Sequence, residues 1–208
     1  VGNSDWPNVD TTPQTVQFRF QTTGIPTSSF YRNLFVLDNN KAFITLEYNG
    51  DGTQPGSWDG AVPSQSNAFG TLAFYPEGQV GYTAGRSASV NLPFFDQGWW
   101  SVQATYDYDD TMTASLCVAN RIGEEIGFSG SDYIAVAQGQ YWKAATQAFI
   151  PSGSNLILSG LNHAPLSGAL QEVRYWDTPL SESFFFDYVV NPYSTQGTGV
   201  NTTPDELM

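Results

Sequence analysis

The chain has 208 residues, of which 7 are Lys or Arg and 20 are Asp or Glu, for a formal net charge of −13. Lys41 and Lys143 are its only lysines, so no basic stripe exists to neutralise phosphates, which argues against nucleic acid and anionic membrane surfaces as partners. Aromatic residues make up 15% and charged residues 13%, against about 25% charged in an average soluble domain, so one core of β-sandwich size is expected and global disorder is not.

The first residues, VGNSDWPNVD, lack an initiator Met and carry neither a basic nor a hydrophobic leader region. Residues 1–13 read as an N-terminal arm, with processing or omission expected upstream of it. In QTVQFRFQTT, Val16, Phe18 and Phe20 share one face, and Gln17, Arg19 and Gln21 share the other. Period two predicts a strand with one buried and one wetted face. Residues 33–48 predict a hairpin, NLFVL and KAFITLEY around Asp38-Asn39-Asn40, closed by Asn49-Gly50-Asp51-Gly52, whose pairs favour positive φ.

Residues 53–68 hold two prolines and two glycines without periodicity and predict the longest connection, where function concentrates. Short strands follow in FGTLAFY, QVGYTA and SASVNLPFF. WWSVQATY then places Trp100, Val102, Ala104 and Tyr106 on one face. Asp107-Tyr108-Asp109-Asp110 turns, and TMTASLCVAN returns as far as Asn120.

Residues 121–154 are Gly- and Ser-rich and weakly patterned, with SDYIAVA and TQAFI as short strands; NLILSG and GALQEVRYW are the last two. Ser181 as N-cap, with Phe185, Tyr188 and Val189 at helical spacing and Asn191-Pro192 as a stop, predicts one short helix. Residues 193–208 read as an extended polar tail. No run approaches the ~18 apolar residues of a membrane span, and no repeat of solenoid or propeller period occurs.

Cys117 sits in an alternating apolar stretch and reads as a small buried hydrophobe. With one cysteine and one histidine, His163, the chain cannot build a structural zinc site. Asp107, Asp109 and Asp110 fail the EF-hand pattern, which needs Gly at position six and an acid at position twelve, where Val118 stands. No G-x-S-x-G elbow surrounds His163. No metal, cofactor or catalytic residue is expected.

GWWSVQATYDYDDTMTASLCVAN (98–120) resembles the central hairpin of laminin G-like and concanavalin A-like domains. LILSGLNHAPLSGALQEVRYWDTPLSESFF (156–185) resembles their closing signature through Gly168, Glu172, Val173, Arg174, Trp176, Leu180 and Ser181, with Gln171 and Tyr175 departing from it. Together with VQFRFQTT these matches span most of the chain, and the C-terminal one is the most specific. WWSV, LQEVRYW, LSESFFFDYVVNPYS and PDEL are further similar to a domain of virion structural proteins of large tailed phages, marine ones especially.

The resemblance implies an all-β, two-sheet antiparallel jelly-roll sandwich over residues 14–192 with about a dozen strands, and further sequence beyond PDEL. It implies a non-enzymatic virion structural or decoration module, with other virion proteins as partners in a symmetric assembly. The alternative is a glycan-binding adhesin module. The E-x-D-x-x-E spacing of the concanavalin-like hydrolases is absent. Trp100, Gly168, Glu172, Arg174 and Trp176 are the expected structural signature, with a Glu172–Arg174 pair beside Trp176 pinning a central strand. Trp58, Asp59 and Trp142, outside clear alternation, are the candidate ligand residues, since sugars stack on exposed rings.

Overall fold

The computed structural model describes residues 4–5, 14–37, 42–48, 68–76, 87–107, 111–136, 147–149, 157–158, 161–162 and 166–192. Thirteen strands and one helix lie among them. In chain order the strands are β1 (Ser4–Asp5), β2 (Thr15–Thr22), β3 (Phe30–Leu37), β4 (Ala42–Tyr48), β5 (Gly70–Tyr75), β6 (Ala88–Leu92) and β7 (Trp99–Asp107). They continue as β8 (Thr113–Ile122), β9 (Glu125–Ala135), β10 (Gln147–Phe149), β11 (Ile157–Leu158), β12 (Leu161–Asn162) and β13 (Gly168–Trp176), followed by α1 (Glu182–Val190).

Two antiparallel sheets form the sandwich, one ordered β1-β10-β3-β4-β5-β6 and the other β13-β2-β7-β8-β9; β11 and β12 make a separate ribbon. Alternation dictates the core. Val16, Phe18 and Phe20 of β2 and Trp100, Val102, Ala104 and Tyr106 of β7 meet Leu34, Ile44, Leu46, Leu72 and Phe74 from the facing sheet, all essentially without solvent exposure. Phe94 packs edge-on to Trp100 at 4.9 Å, and the indole Nε1 donates to Asp96 Oδ1 at 3.1 Å. On one side the edge strands β6 and β9 close the sandwich: Ser89 N donates to Asp132 Oδ2 at 2.8 Å, which occupies an edge amide that could otherwise recruit another strand.

The expectation of a wetted second face on β2 is corrected at its first part, while Arg19 and Gln21 keep partial exposure. Gln17 and Thr15 are fully buried there, as is Gln103 on β7, because the chain after β13 crosses this face and α1 packs on it. The polar groups satisfy one another instead of water. Gln17 Nε2 donates to Gln103 Oε1 at 2.8 Å, and Trp176 Nε1 donates to Gln17 Oε1 at 2.9 Å. Gln103 Nε2 donates to the carbonyls of Leu180 and Ser181 at 3.1 and 3.3 Å. Thr15 Oγ1 donates to Thr178 O at 2.8 Å and accepts from Leu180 N at 3.0 Å.

Helix α1 begins where the sequence places it, with Ser181 Oγ accepting from Phe184 N at 3.4 Å. Its buried stripe, Phe185, Tyr188 and Val189, covers Cys117 and Ala119 of β8. Burial pushes the Cys117 thiol up to about 12, with Glu182 adding to the effect, so at neutral pH the sulfur is a protonated apolar filler. Arg121 anchors the far end by donating to Val190 O at 2.8 Å, a cation at the negative end of the helix dipole.

Two further expectations change. Strand β13 is an edge strand, paired only with β2 in its sheet, and its register shifts between Gln171 and Arg174, where Glu172 takes φ 56°. Val173 and Trp176 still face opposite sides: Val173 packs on the main core and Trp176 on Phe184. Because Val173 is only partly buried at an edge, Val173→Ala is expected to cost about 1 kcal/mol, the low end of a range of ~1–3 for a central strand. Val173→Asp should still lower the melting temperature, and an unchanged melt would contradict the strand.

The second change concerns residues 121–154, where β9 runs for 11 residues, far beyond SDYIAVA. A two-residue turn joins it to β8, with Ile122 opposite Glu125 and Gly123 at φ 67°. Strand β8 therefore continues past Asn120, whose Oδ1 accepts from Phe128 N at 2.6 Å beside a register shift.

Candidate functional site

The C-terminal signature is occupied with structure. Arg174 lies 3.7 Å from Glu172, donates to Pro192 O, and sits 5.0 Å over the ring of Tyr188. The expected charge pair is present, but the guanidinium stacks on Tyr188 and not on Trp176, which is turned to Phe184 at 5.3 Å and to Gln17. At Gly168 a Cβ would lie 1.9 Å from Gln21 O and 3.2 Å from Thr22 Cα, both backbone atoms that cannot swing away. Gly168→Ala must open the β13–β2 pairing locally, and a loss of about 1–3 kcal/mol in urea unfolding is expected.

Trp58, Asp59 and Trp142 lie outside the described residues, as do Asp109, Asp110 and His163. Asp107 accepts from Thr111 Oγ1 at 2.8 Å within its own turn.

A different constellation forms on the outer face of the six-stranded sheet. Register places Tyr31 of β3 opposite Glu47 of β4, Glu47 opposite Thr71 of β5, and Thr71 opposite Asn91 of β6. One row of side chains thus crosses four strands, about 14 Å at ~4.8 Å per step. These four residues, with Tyr48, Phe69 and Gly70 at its floor and end, line a cleft of about 70 Å³. Asn91 Nδ2 donates to Thr71 Oγ1 at 3.1 Å.

Glu47 is the centre of this row. Thr45 Oγ1 and Tyr75 OH both donate to its Oε1, at 3.0 and 3.3 Å. Fixing one oxygen from two directions fixes the plane of the carboxylate. Burial pushes the Glu47 carboxyl above its ordinary value, against the opposing pull of those two hydrogen bonds.

The sign of the resulting pH dependence follows from proton counting. The folded state binds the Glu47 proton more tightly than the unfolded state, so this residue's contribution to stability is greatest below the ordinary carboxylate range and declines as pH rises through the raised folded pKa. Glu47→Gln keeps an acceptor for Thr45 and Tyr75 and removes the buried charge. We expect it to hold or raise the melting temperature at pH 7 relative to the parent, with the difference shrinking at pH 4. A variant less stable at pH 7 than at pH 4, relative to the parent, would contradict the assignment.

Hydroxyl and amide groups around a single oriented carboxylate, beside a tyrosine, can hydrogen-bond hydroxyl groups, and about 70 Å³ leaves room for a protruding substituent and not for a whole ring. Glycosidic hydrolysis uses two carboxyl groups about 5–9.5 Å apart, and Glu47 is the one acid among the described residues lining the cleft. This row is invisible in the sequence because its members lie on four strands and become neighbours only through register. The available signal was Thr45 and Glu47, two polar residues at period two inside the apolar run AFITLEY.

No family model matches the chain, and no curated protein matches it. Among solved structures it is similar to the CBM40 of a Ruminococcus gnavus IT-sialidase, at 11% identity over 87% of this chain and 85% of that one, with a TM-score of 0.46. It is also similar to a heptameric SAP-like pentraxin from Limulus polyphemus, at 13% identity over 90% and 72% of the two chains and a TM-score of 0.46. The enzymatically active domain of tailspike protein 2 from bacteriophage CBA120 aligns at 11% identity over 91% of this chain and 26% of that one, with a TM-score of 0.51. This chain therefore spans about a quarter of the tailspike chain. At such identity the likeness establishes a shared sandwich fold.

Proposed function

We propose that the chain is a non-enzymatic structural or decoration module of a tailed-phage virion, carried on a lectin-like sandwich. The observation that carries this reading is the fate of the closing signature. Trp176 is committed to the buried network under α1, Arg174 to binding the segment that ends at Pro192, and Glu172 to pairing with Arg174. Residues used in this way build a rigid support. The similarity of LQEVRYW and LSESFFFDYVVNPYS to phage virion domains supports the location, and the fold shared with a phage tailspike domain supports it further. Fold by itself does not choose a function.

A second reading is favoured by the row Tyr31–Glu47–Thr71–Asn91, which has the chemistry of a glycan-binding face. A module on a particle surface can also hold a host glycan, and repetition by symmetry would turn weak single contacts into firm attachment.

Incubation of the purified protein with bacterial polysaccharides tests the non-enzymatic claim. No release of reducing ends above background is expected. Time- and enzyme-dependent release that Glu47→Gln abolishes would overturn it. A glycan array tests the second reading: binding should appear and should fall at least tenfold in Glu47→Gln, whereas an empty array, or binding indifferent to Glu47, would remove the cleft from consideration.

A further inference from the structure

A second opening lies at the end of the sandwich, lined by the segment 23–28 after β2, by Arg32 of β3 and by Ser167 before β13. It measures about 370 Å³, near the lower end of the ligand-pocket range of roughly 300–1,000 Å³, room for one sugar ring more than for a long chain. Backbone and side-chain bonds tie its walls together. Thr23 N donates to Ser167 O at 3.0 Å, and the Thr23 and Ser167 hydroxyls are 2.9 Å apart.

Arg32 is out of place by the logic of alternation. Its register partner is the core residue Leu46, so it occupies an inward position where a sandwich normally places an apolar side chain. Burial pulls its pKa below the ordinary arginine value, the mark of a guanidinium that water solvates incompletely. Around it the pocket offers the hydroxyls of Thr27 and Ser28 and the apolar surfaces of Ile25 and Pro26. A cation, hydroxyls and apolar patches converge on one cavity.

We propose that this pocket binds a carboxylate-bearing sugar unit, with Arg32 gripping the carboxylate and the hydroxyls and apolar surfaces meeting the ring. The planar fork of a guanidinium matches a carboxylate with two parallel N–H···O bonds and presents five donors, enough to hold a protein partner and a ligand together. Arg32 is the one cation among the described residues lining the pocket, and the chain carries −13 overall. That balance suits a monoanion better than a dianionic phosphate. Tyr31 and Arg32 are consecutive, so one strand serves the outer cleft with one residue and this pocket with the next.

The inference rests on the glycan-binding reading but uses a different site, and an NMR titration of the folded protein separates the two. The probes are methyl β-D-glucuronide, its methyl ester, methyl β-D-glucoside and inorganic phosphate. The glucuronide should shift the amides of residues 23–25, 27, 28, 32 and 167, with affinity at least tenfold above that of the ester and glucoside and no comparable shifts from phosphate. Arg32→Gln should weaken glucuronide binding tenfold or more, and Arg32→Lys by a smaller factor.

Because the ester comparison needs no mutation, the test survives a variant that fails to fold. Equal binding of acid and ester, or saturating shifts from phosphate, would overturn the carboxylate assignment. Shifts confined to Tyr31, Glu47, Thr71 and Asn91 would overturn this pocket while leaving the outer cleft standing. No shifts with any sugar would remove both.

Discussion

Trp176→Ala should lower stability by about 3–5 kcal/mol, the usual range for truncating a fully buried tryptophan. The ring is 0% exposed and edge-on to Phe184, and its Nε1 is bonded to Gln17 Oε1. Removing it leaves both a cavity under α1 and an unmet buried acceptor. A domain of this size is typically stable by only ~5–15 kcal/mol, so the loss is a large fraction of the total. With roughly 2–4 °C per kcal/mol at this length, the melting temperature should fall by about 10 °C. Trp176→Phe separates the causes, since it refills most of the cavity but cannot donate. A melt within about 2 °C of the parent for Trp176→Ala would mean that the segment after β13 contributes little to the fold.

Gln103→Leu should be the next most damaging change, although it is conservative in volume and more apolar. It strands Gln17 Nε2 and takes the side-chain donor from the half-buried Leu180 carbonyl, while Ser181 O keeps its bond from Phe185 N; a buried group left without a partner costs on the order of 1–3 kcal/mol. Gln17→Leu strands Trp176 Nε1 in the same way. The double variant should cost less than the sum of the singles, because the groups bonded to each other are removed together. Chemical denaturation of the four proteins gives the coupling. Hydrogen exchange should show α1 opening more readily in either single variant. Strict additivity would contradict a shared network.

How much of this was legible beforehand depends on what alternation encodes. Val16, Phe18 and Phe20 announce a buried face, and Trp100 to Tyr106 announce a second strand, its neighbour in the same sheet, facing the same core, so the all-β sandwich and its helix were readable. Alternation cannot say what covers the second face. Gln17 and Gln103 look the same in sequence whether they meet water or each other, and their covering residues, Leu180 and Ser181, lie far along the chain. GALQEVRYW likewise cannot reveal that β13 is an edge or that Glu172 adopts a left-handed backbone.

The first half of strand β9 is hard to read because Gly127, Ser129 and Gly130, poor strand formers, dilute the signal of Ile126 and Phe128. Its alternation is between half-buried and exposed positions rather than buried and exposed ones. The candidate site was less legible still. Trp58, Asp59 and Trp142 stand outside the pattern, whereas the outer-face row follows the pattern within each strand. Tyr31, Glu47, Thr71 and Asn91 become one surface only once three hairpin registers are known. Arg32 was readable in principle, as a charge at a position where β3 turns toward the core.

The central claim, that this chain works as part of a tailed-phage particle, is tested most directly by quantitative mass spectrometry of gradient-purified virions from the phage that encodes it, with cryo-EM of the same particles. We expect the protein to co-purify at a fixed, symmetry-related copy number and to account for sandwich-shaped density on the particle. Its absence from purified virions, with the protein found only as a free monomer in infected cells, would contradict the claim.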